Sequence, residues 1–124
     1  EALQTLASER GAAVIYDAAH AYGARYQGRP LASYGDISIL SFHATKLFHT
    51  VEGGALITHR ADLAQRIEYL RNFGHDGPEH FHDAGTNAKM SEFHAAMGLC
   101  MLPRMPATVA GRAAVVALYD ELLS

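Results

Sequence analysis

The stretch Ile37-Ser38-Ile39-Leu40-Ser41-Phe42-His43-Ala44-Thr45-Lys46 passes from a β-branched apolar run into a short polar turn that ends on a lysine. A run this brief is too short for a helix and too continuous for a half-exposed strand. Residues 36 to 42 are therefore expected to form a strand in a sheet covered on both faces. Lys46 is one of two lysines among 124 residues. An amine at the end of a buried strand is expected to be desolvated, which favours its neutral, nucleophilic form over the protonated form an exposed lysine keeps. Upstream, Ala12-Ala13-Val14-Ile15-Tyr16 repeats the pattern and carries Asp17 to a second strand end, and Gly54-Ala55-Leu56-Ile57-Thr58 reads as a third strand.

Between these strands the periodicity changes. Leu3 and Leu6 share a helical face over residues 2 to 10, with Gly11 as the C-terminal cap. Asp62 to Phe73 reads as a helix with Leu63, Ile67 and Leu70 at helical spacing, closed by Gly74. The stretch from His75 to Asn87 is rich in Gly, His and Asp and reads as a loop. Ser91 caps a helix that runs to Leu102 and stops at Pro103, and residues 108 to 123 are apolar at helical spacing. This alternation is that of an α/β chain. No internal repeat interrupts it, and Pro103 to Pro106 is the one credible boundary.

Composition narrows the function classes. The chain is 49% apolar and 19% charged, a globular balance, and its net charge of −3 offers no basic face for nucleic acid. The single Cys100 lies in an apolar helix, where it is expected to fill core space; no disulfide can form within the chain, which fits a reducing compartment. No signal-peptide pattern and no apolar run near the ~18 residues of a membrane span is present, so a cytoplasmic location away from membranes is expected. His75, His80 and His82 cluster in one loop, and His80 and His82 could face the same side of an extended chain. Without a closing fourth group they read as solvated loop residues and not as metal ligands.

Several motifs occur in a recognisable order: Asp17-Ala18-Ala19-His20-Ala21-Tyr22-Gly23, Ser41 to Lys46, Val51-Glu52-Gly53-Gly54-Ala55, Asn72-Phe73-Gly74, and Gly85-Thr86-Asn87-Ala88-Lys89-Met90-Ser91-Glu92. Together they resemble the DegT/DnrJ/EryC1/StrS family of sugar aminotransferases, from about residue 12 to residue 102. The resemblance implies a pyridoxal-phosphate enzyme of the aspartate aminotransferase fold (fold type I), with a mostly parallel central sheet flanked by helices. Members of the family are considerably longer. The chain is accordingly read as an internal fragment, in which residues 1 to 102 belong to the cofactor-binding large domain and residues 103 to 124 begin the connection to a C-terminal small domain.

The same resemblance assigns roles. Lys46 would hold the cofactor as a Schiff base and carry the proton between substrate carbon and cofactor. Asp17 would keep the pyridine nitrogen protonated, although an Asp at a strand end also caps turns. His20 would donate to the ring oxygen, or serve as a structural histidine of an Ala-rich turn. Ser41 would bind the phosphate, or hydrogen-bond within the strand-loop junction. Asn87 would reach the phosphate of the other subunit, which implies a homodimer with a shared active site, or would simply be a turn residue. Lys89 could be an ion-pair partner or a substrate contact. His43 and His49 flank Lys46 and could tune its pocket, while Gly53-Gly54 permit close backbone approach behind it.

Some relatives carry His where this chain has Lys46, and these dehydrate sugars instead of aminating them. Lys46 thus implies an aminotransferase that moves an amino group from an amino acid donor such as glutamate to the ketone of a nucleotide-linked sugar. The stretch from Phe42 to Gly54 most resembles the branch acting on dTDP-3-keto-6-deoxyhexoses. A different class of reading is a catalytically incomplete fragment that only self-associates or binds another protein, which an apolar last helix and open sheet edges would favour.

Overall fold

The computed structural model describes residues 2–124. In chain order it contains α1 (Ala2–Glu9), β1 (Ile15–Asp17), β2 (Arg25–Tyr26), β3 (Arg29–Pro30), β4 (Ile37–Ser41), β5 (Gly54–Ile57), α2 (Ala61–Arg71), α3 (Glu92–Met101) and α4 (Met105–Leu123). β4 is the middle strand of a three-stranded sheet ordered β1-β4-β5, and β2 and β3 form a small separate hairpin.

Register decides what each strand presents. β1 runs parallel to β4 with Ile15 opposite Ile37 and Asp17 opposite Ile39. β5 runs antiparallel to β4, from Ser38 opposite Ile57 to Ser41 opposite Gly54. The sheet is mixed, so the expectation of parallel pairing holds for β1 and β4 but not for β5. The chain returns from β4 to β5 through the loop that carries Lys46, and a return without a crossover element can only give an antiparallel neighbour.

Coverage also differs from the expectation. Ser38 and Leu40 are buried on one face of β4, with Tyr16, Ala55 and Ile57 half-buried on the same side. Ile15, Ile39 and Leu56 on the other face are exposed. Among the described residues the sheet is covered on one face, not both. Asp36 ties down its upstream edge: its Oδ2 accepts the Val14 N–H at 2.8 Å, and its carbonyl accepts the Thr58 hydroxyl at 2.6 Å.

α2 places Leu63, Ile67 and Leu70 on its half-buried side, as the spacing predicts. It ends at Arg71, two residues early, because Phe73 and Gly74 adopt φ of 58° and 84° and the Gly74 N–H returns to the Tyr69 carbonyl at 2.8 Å. A Cβ on Gly74 would collide with the Asp83 carbonyl, so glycine is required here for space as well as for its left-handed backbone. Ser91 caps α3 by accepting the His94 N–H at 3.4 Å. Pro103 ends α3 as expected. The chain does not leave the helical direction there: a 3₁₀ turn at Leu102–Arg104 leads straight into α4, which starts at Met105, three residues before the sequence reading placed it.

Cys100 is exposed, against the expectation of a core position. Helical phase is the reason: His94, Ala95, Met97, Gly98 and Met101 form the inward side of α3, and Cys100 falls on the opposite side. Most of α4 is exposed, including Val115, Val116, Leu118 and Leu122. Among the described residues no helix is long and apolar enough to cross a membrane.

Candidate active site

Parallel strands β1 and β4 end side by side, and each releases a loop at its carboxyl end. Open α/β sheets bind ligands at such an edge. Asp17 is the last residue of β1, and its register puts it on the same face of the sheet as Ile39 and, two residues on, Ser41. The pairing continues one step past Asp17, where the Ala18 N–H donates to the Ile39 carbonyl at 2.9 Å. Ala18 is buried, and its carbonyl accepts the Ala21 N–H at 2.9 Å, closing the turn that carries His20.

The second loop is built more tightly. The Phe42 N–H donates to the Gly53 carbonyl at 2.8 Å and the Thr50 N–H to the Phe42 carbonyl at 2.9 Å, so residues 42 to 53 close on themselves. Phe48 is buried beneath, stacked on Tyr22 with ring centroids 4.5 Å apart and edge-on to Phe42 at 4.9 Å. This aromatic wedge locks the two loops together, and such ring pairs contribute about 1 kcal/mol each beyond area burial. The sequence reading singled out neither Tyr22 nor Phe48. Three aromatics within two strand-end loops were the available signal.

Lys46 and His20 meet across this junction, with Nζ 2.9 Å from Nε2. Lys46 is half-buried and its partner exposed, so the lysine is not enclosed as the strand-end argument expected. It lies five residues beyond the end of β4, within the turn and outside the sheet. A polar partner, not burial, is what the fold gives it.

The remaining candidates also show their local roles. Asp17 Oδ1 accepts the Ala19 N–H at 3.1 Å, a turn cap, and leaves Oδ2 without a protein partner among the described residues. Ser41 Oγ accepts the His43 N–H at 3.4 Å, leaving its hydroxyl proton to donate. The His43 ring is engaged by Thr45 Oγ1 at 2.9 Å and by Glu52 at 3.6 Å, and His49 Nδ1 accepts the Val51 N–H at 3.4 Å. Asn87 stands apart: its backbone bridges Asn72 and its Oδ1 accepts from Lys89 Nζ at 2.6 Å. Lys89 Nζ also lies 4.0 Å above the Phe73 ring. Asp17, His20, Ser41 and Lys46 are thus gathered at one sheet edge, and Asn87 is not in contact with them.

Two of the three loop histidines have separate partners. His82 Nε2 pairs with Asp76 at 2.9 Å and its ring stacks on Tyr69, while His75 packs against Phe73 and Phe81.

An amine, a carboxylate and a hydroxyl at the carboxyl end of adjacent parallel strands form a donor set suited to an aldehyde, a protonated ring nitrogen and a phosphate. A model of the DegT/DnrJ/EryC1/StrS aminotransferase family matches residues 1–124. The chain belongs to that family. Among its curated relatives, the dTDP-4-amino-4,6-dideoxy-D-glucose transaminase of Shigella dysenteriae is 39% identical over 99% of this chain and 34% of its own length. Among solved structures, DesI in the presence of its TDP-sugar product is 51% identical, with a TM-score of 0.78 over 85% of this chain and 27% of that one. DesV of S. venezuelae, in complex with a ketimine intermediate, is 33% identical, with a TM-score of 0.90 over 99% of this chain and 33% of that one.

The fold of this α/β chain is that of the PLP-dependent aminotransferases of fold type I. The chain spans about a third of the length of the curated relatives it matches. Those relatives are aminotransferases, and nothing in them supports a chain whose sole role is self-association.

Proposed function

We propose that the full-length protein is a pyridoxal-phosphate aminotransferase that converts the ketone of a nucleotide-linked 6-deoxyhexose to an amine, taking the amino group from an amino acid such as glutamate. The observation that carries this reading is the placement of Lys46, paired with His20, beside Asp17 and Ser41 at the carboxyl edge of β1 and β4. Pyridoxal phosphate, when bound, supplies a ring that takes up the electron pair of a broken carbon-hydrogen bond and returns it. The chain's residues hold and steer that ring.

Lys46 is the amine that would hold the cofactor's aldehyde and would move the proton of the substrate carbon. Asp17 is the carboxylate that would face the cofactor's ring nitrogen and would keep it protonated; a neutral side chain there could not. The Ala19 N–H fixes that carboxylate in rotation, since it is bound to Oδ1. Ser41 donates its hydroxyl hydrogen to the phosphate, and His20 lies close enough to Lys46 to serve the same group. Asn87 reaches the phosphate of the opposite subunit in a homodimer, a role consistent with its position apart from the cluster. Residues 1 to 102 belong to the cofactor-binding domain and residues 103 to 124 to the connection that follows.

For the substrate, the stretch from Phe42 to Gly54 favours a dTDP-linked 3-keto-6-deoxyhexose. A 4-keto sugar is the second reading, favoured by the relative that acts as a 4-amino-4,6-dideoxyglucose transaminase. Incubating the full-length protein with each dTDP-keto sugar and glutamate, with detection of the aminated sugar by mass spectrometry, separates them. Amination of neither, with cofactor and donor in excess, refutes the proposal.

A further inference from the structure

Glycine is the poorest helix former after proline, yet Gly98 stands inside α3, close after Ala95 and Ala96, which favour the helix. Gly98 is buried, and its bare Cα faces the back of the loop that carries Lys46. A Cβ at this position would lie 3.0 Å from Thr50 Cγ2 and 3.6 Å from Phe48 Cζ. The first distance is too short for two carbon atoms, whose best separation is about 3.5–4.0 Å.

We propose that Gly98 is a positioning residue for Lys46. By lacking a side chain it lets α3 close onto Thr50 and Phe48, and so it sets how the Lys46 loop stands against the loop that follows Asp17 and carries His20. Gly98 acts through those two side chains and has no part in the chemistry itself. This rests on the reading of Lys46 as the amine that holds the cofactor.

Thr50 cannot yield to a methyl group without moving the loop. It is buried, its N–H donates to the Phe42 carbonyl at 2.9 Å and its hydroxyl to the Glu52 carbonyl at 2.7 Å. Its Oγ1 is pressed against Gly53, where a Cβ would collide with it, so turning the side chain brings no relief. Phe48 carries the same push to the other loop, because its buried ring is stacked on Tyr22, two residues after His20. A small retreat of α3 therefore reaches both loops and the 2.9 Å contact between Lys46 and His20 that joins them. Reacting groups held in place by a fold lose rate steeply when displaced, even by a change far from the chemistry.

The test compares Gly98→Ala, Thr50→Ser and the double variant, each in the full-length protein. Serine keeps the hydroxyl that bonds Glu52 and removes the one methyl that the added Cβ would press. In cofactor-free protein the Phe42 and Thr50 amides, which close the Lys46 loop, should exchange with deuterium about tenfold faster in Gly98→Ala, while the Phe73 and His82 amides after α2 keep their rates. With cofactor bound, kcat should fall about tenfold and KM for the amino donor stay within about twofold, because the displaced group acts in the reaction and not in holding the donor. In the double variant both quantities should return to those of Thr50→Ser, a rescue that a general loss of helix stability would not show. An unaltered kcat in Gly98→Ala, faster exchange at Phe73 and His82 as well, or a loss that the double variant keeps each overturns the proposal. Lys46→Ala is run in parallel with added pyridoxal phosphate. A visible absorbance band that survives in it refutes the role of Lys46 itself, whereas its loss together with an unaltered kcat in Gly98→Ala refutes only the role of Gly98.

Discussion

Lys46 Nζ and His20 Nε2 lie 2.9 Å apart although 26 residues separate them in sequence, so the two loops released by neighbouring parallel strands are joined at their functional ends. The stacked Tyr22 and Phe48 rings beneath hold that junction from the apolar side. Polar pair and aromatic pair share the same two loops, and disturbing either should disturb the other.

Lys46→Ala in the full-length protein should abolish transamination and the visible absorbance that forms on adding pyridoxal phosphate. Lys46→Arg is the sharper control. It keeps the positive charge and the hydrogen bond to His20 but has no amine able to bond covalently. Both variants should be inactive, and near-normal turnover in either refutes the assignment.

Asp17→Asn retains an oxygen for the Ala19 N–H, so the turn should survive while the negative charge is lost. Turnover should fall by about a hundredfold or more, with the visible band still formed, because what disappears is charge stabilisation in the reacting state and not the covalent hold. Equal kcat for Asp17→Asn and the unaltered protein would show that Oδ2 faces no ring nitrogen.

The α/β alternation and both parallel strand ends were legible because apolar runs and turn residues are local signals. Asp17 and Lys46 could be paired from sequence since each follows such a run. What the sequence did not reveal depended on non-local geometry. The antiparallel β5 follows from how the Lys46 loop folds back. The partial exposure of Lys46 follows from its distance beyond β4, and the outward position of Cys100 from the phase of α3. Asp17 and Ser41 each make the local bond a purely structural reading expects, whereas Asn87 is not a turn residue but bridges Asn72 and accepts from Lys89. Such bonds do not compete with the proposed roles, because each leaves an oxygen or a hydrogen free.

Val51 adopts φ of 69°, a left-handed conformation that a β-branched residue resists, in the loop that closes behind Lys46. The side chain is 48% exposed, so little apolar burial offsets the strain. Val51→Asn should raise stability by about 1 kcal/mol, since Asn tolerates this region, and thermal melting of the full-length protein measures it. A lower melting temperature would show that the valine methyls contribute more than the backbone costs.

Asp76 and Asp83 fasten the loop that follows α2. The hydrogen bond from His82 holds the Asp76 carboxyl below the usual range, and the Ala84 N–H, with Arg66 behind it, does the same for Asp83. A carboxylate whose folded pKa is lowered contributes stability that is complete above its unfolded value and is lost as pH falls through the folded one. The loop should therefore be firm at neutral pH and loosen in acid below the ordinary carboxylate range. Hydrogen-exchange protection of the Phe73 and His82 amides, bonded to Thr86 and Gly74, reports it. Asp83→Asn should remove part of this pH dependence, and protection that stays constant into acid would contradict it.

Asn87 makes no contact with Lys46, Asp17 or Ser41 within one chain, so a shared site predicts complementation between two defective proteins. Lys46→Ala lacks the amine in its own site but still offers Asn87 to its partner. Asn87→Ala lacks the phosphate ligand it lends but keeps its own Lys46. When the two full-length variants are unfolded together and refolded, mixed dimers contain one site with both defects and one with neither. Activity in the mixture should exceed that of each variant alone, approaching about half of the unaltered rate in a purified mixed dimer, as one intact site of two requires. If Asn87 instead serves only its own subunit, every site in the mixed dimer carries a defect and the mixture gains nothing. Asn87→Ala with full activity by itself would mean that the residue serves only the bridge to Asn72 and the bond to Lys89, with no part in binding phosphate.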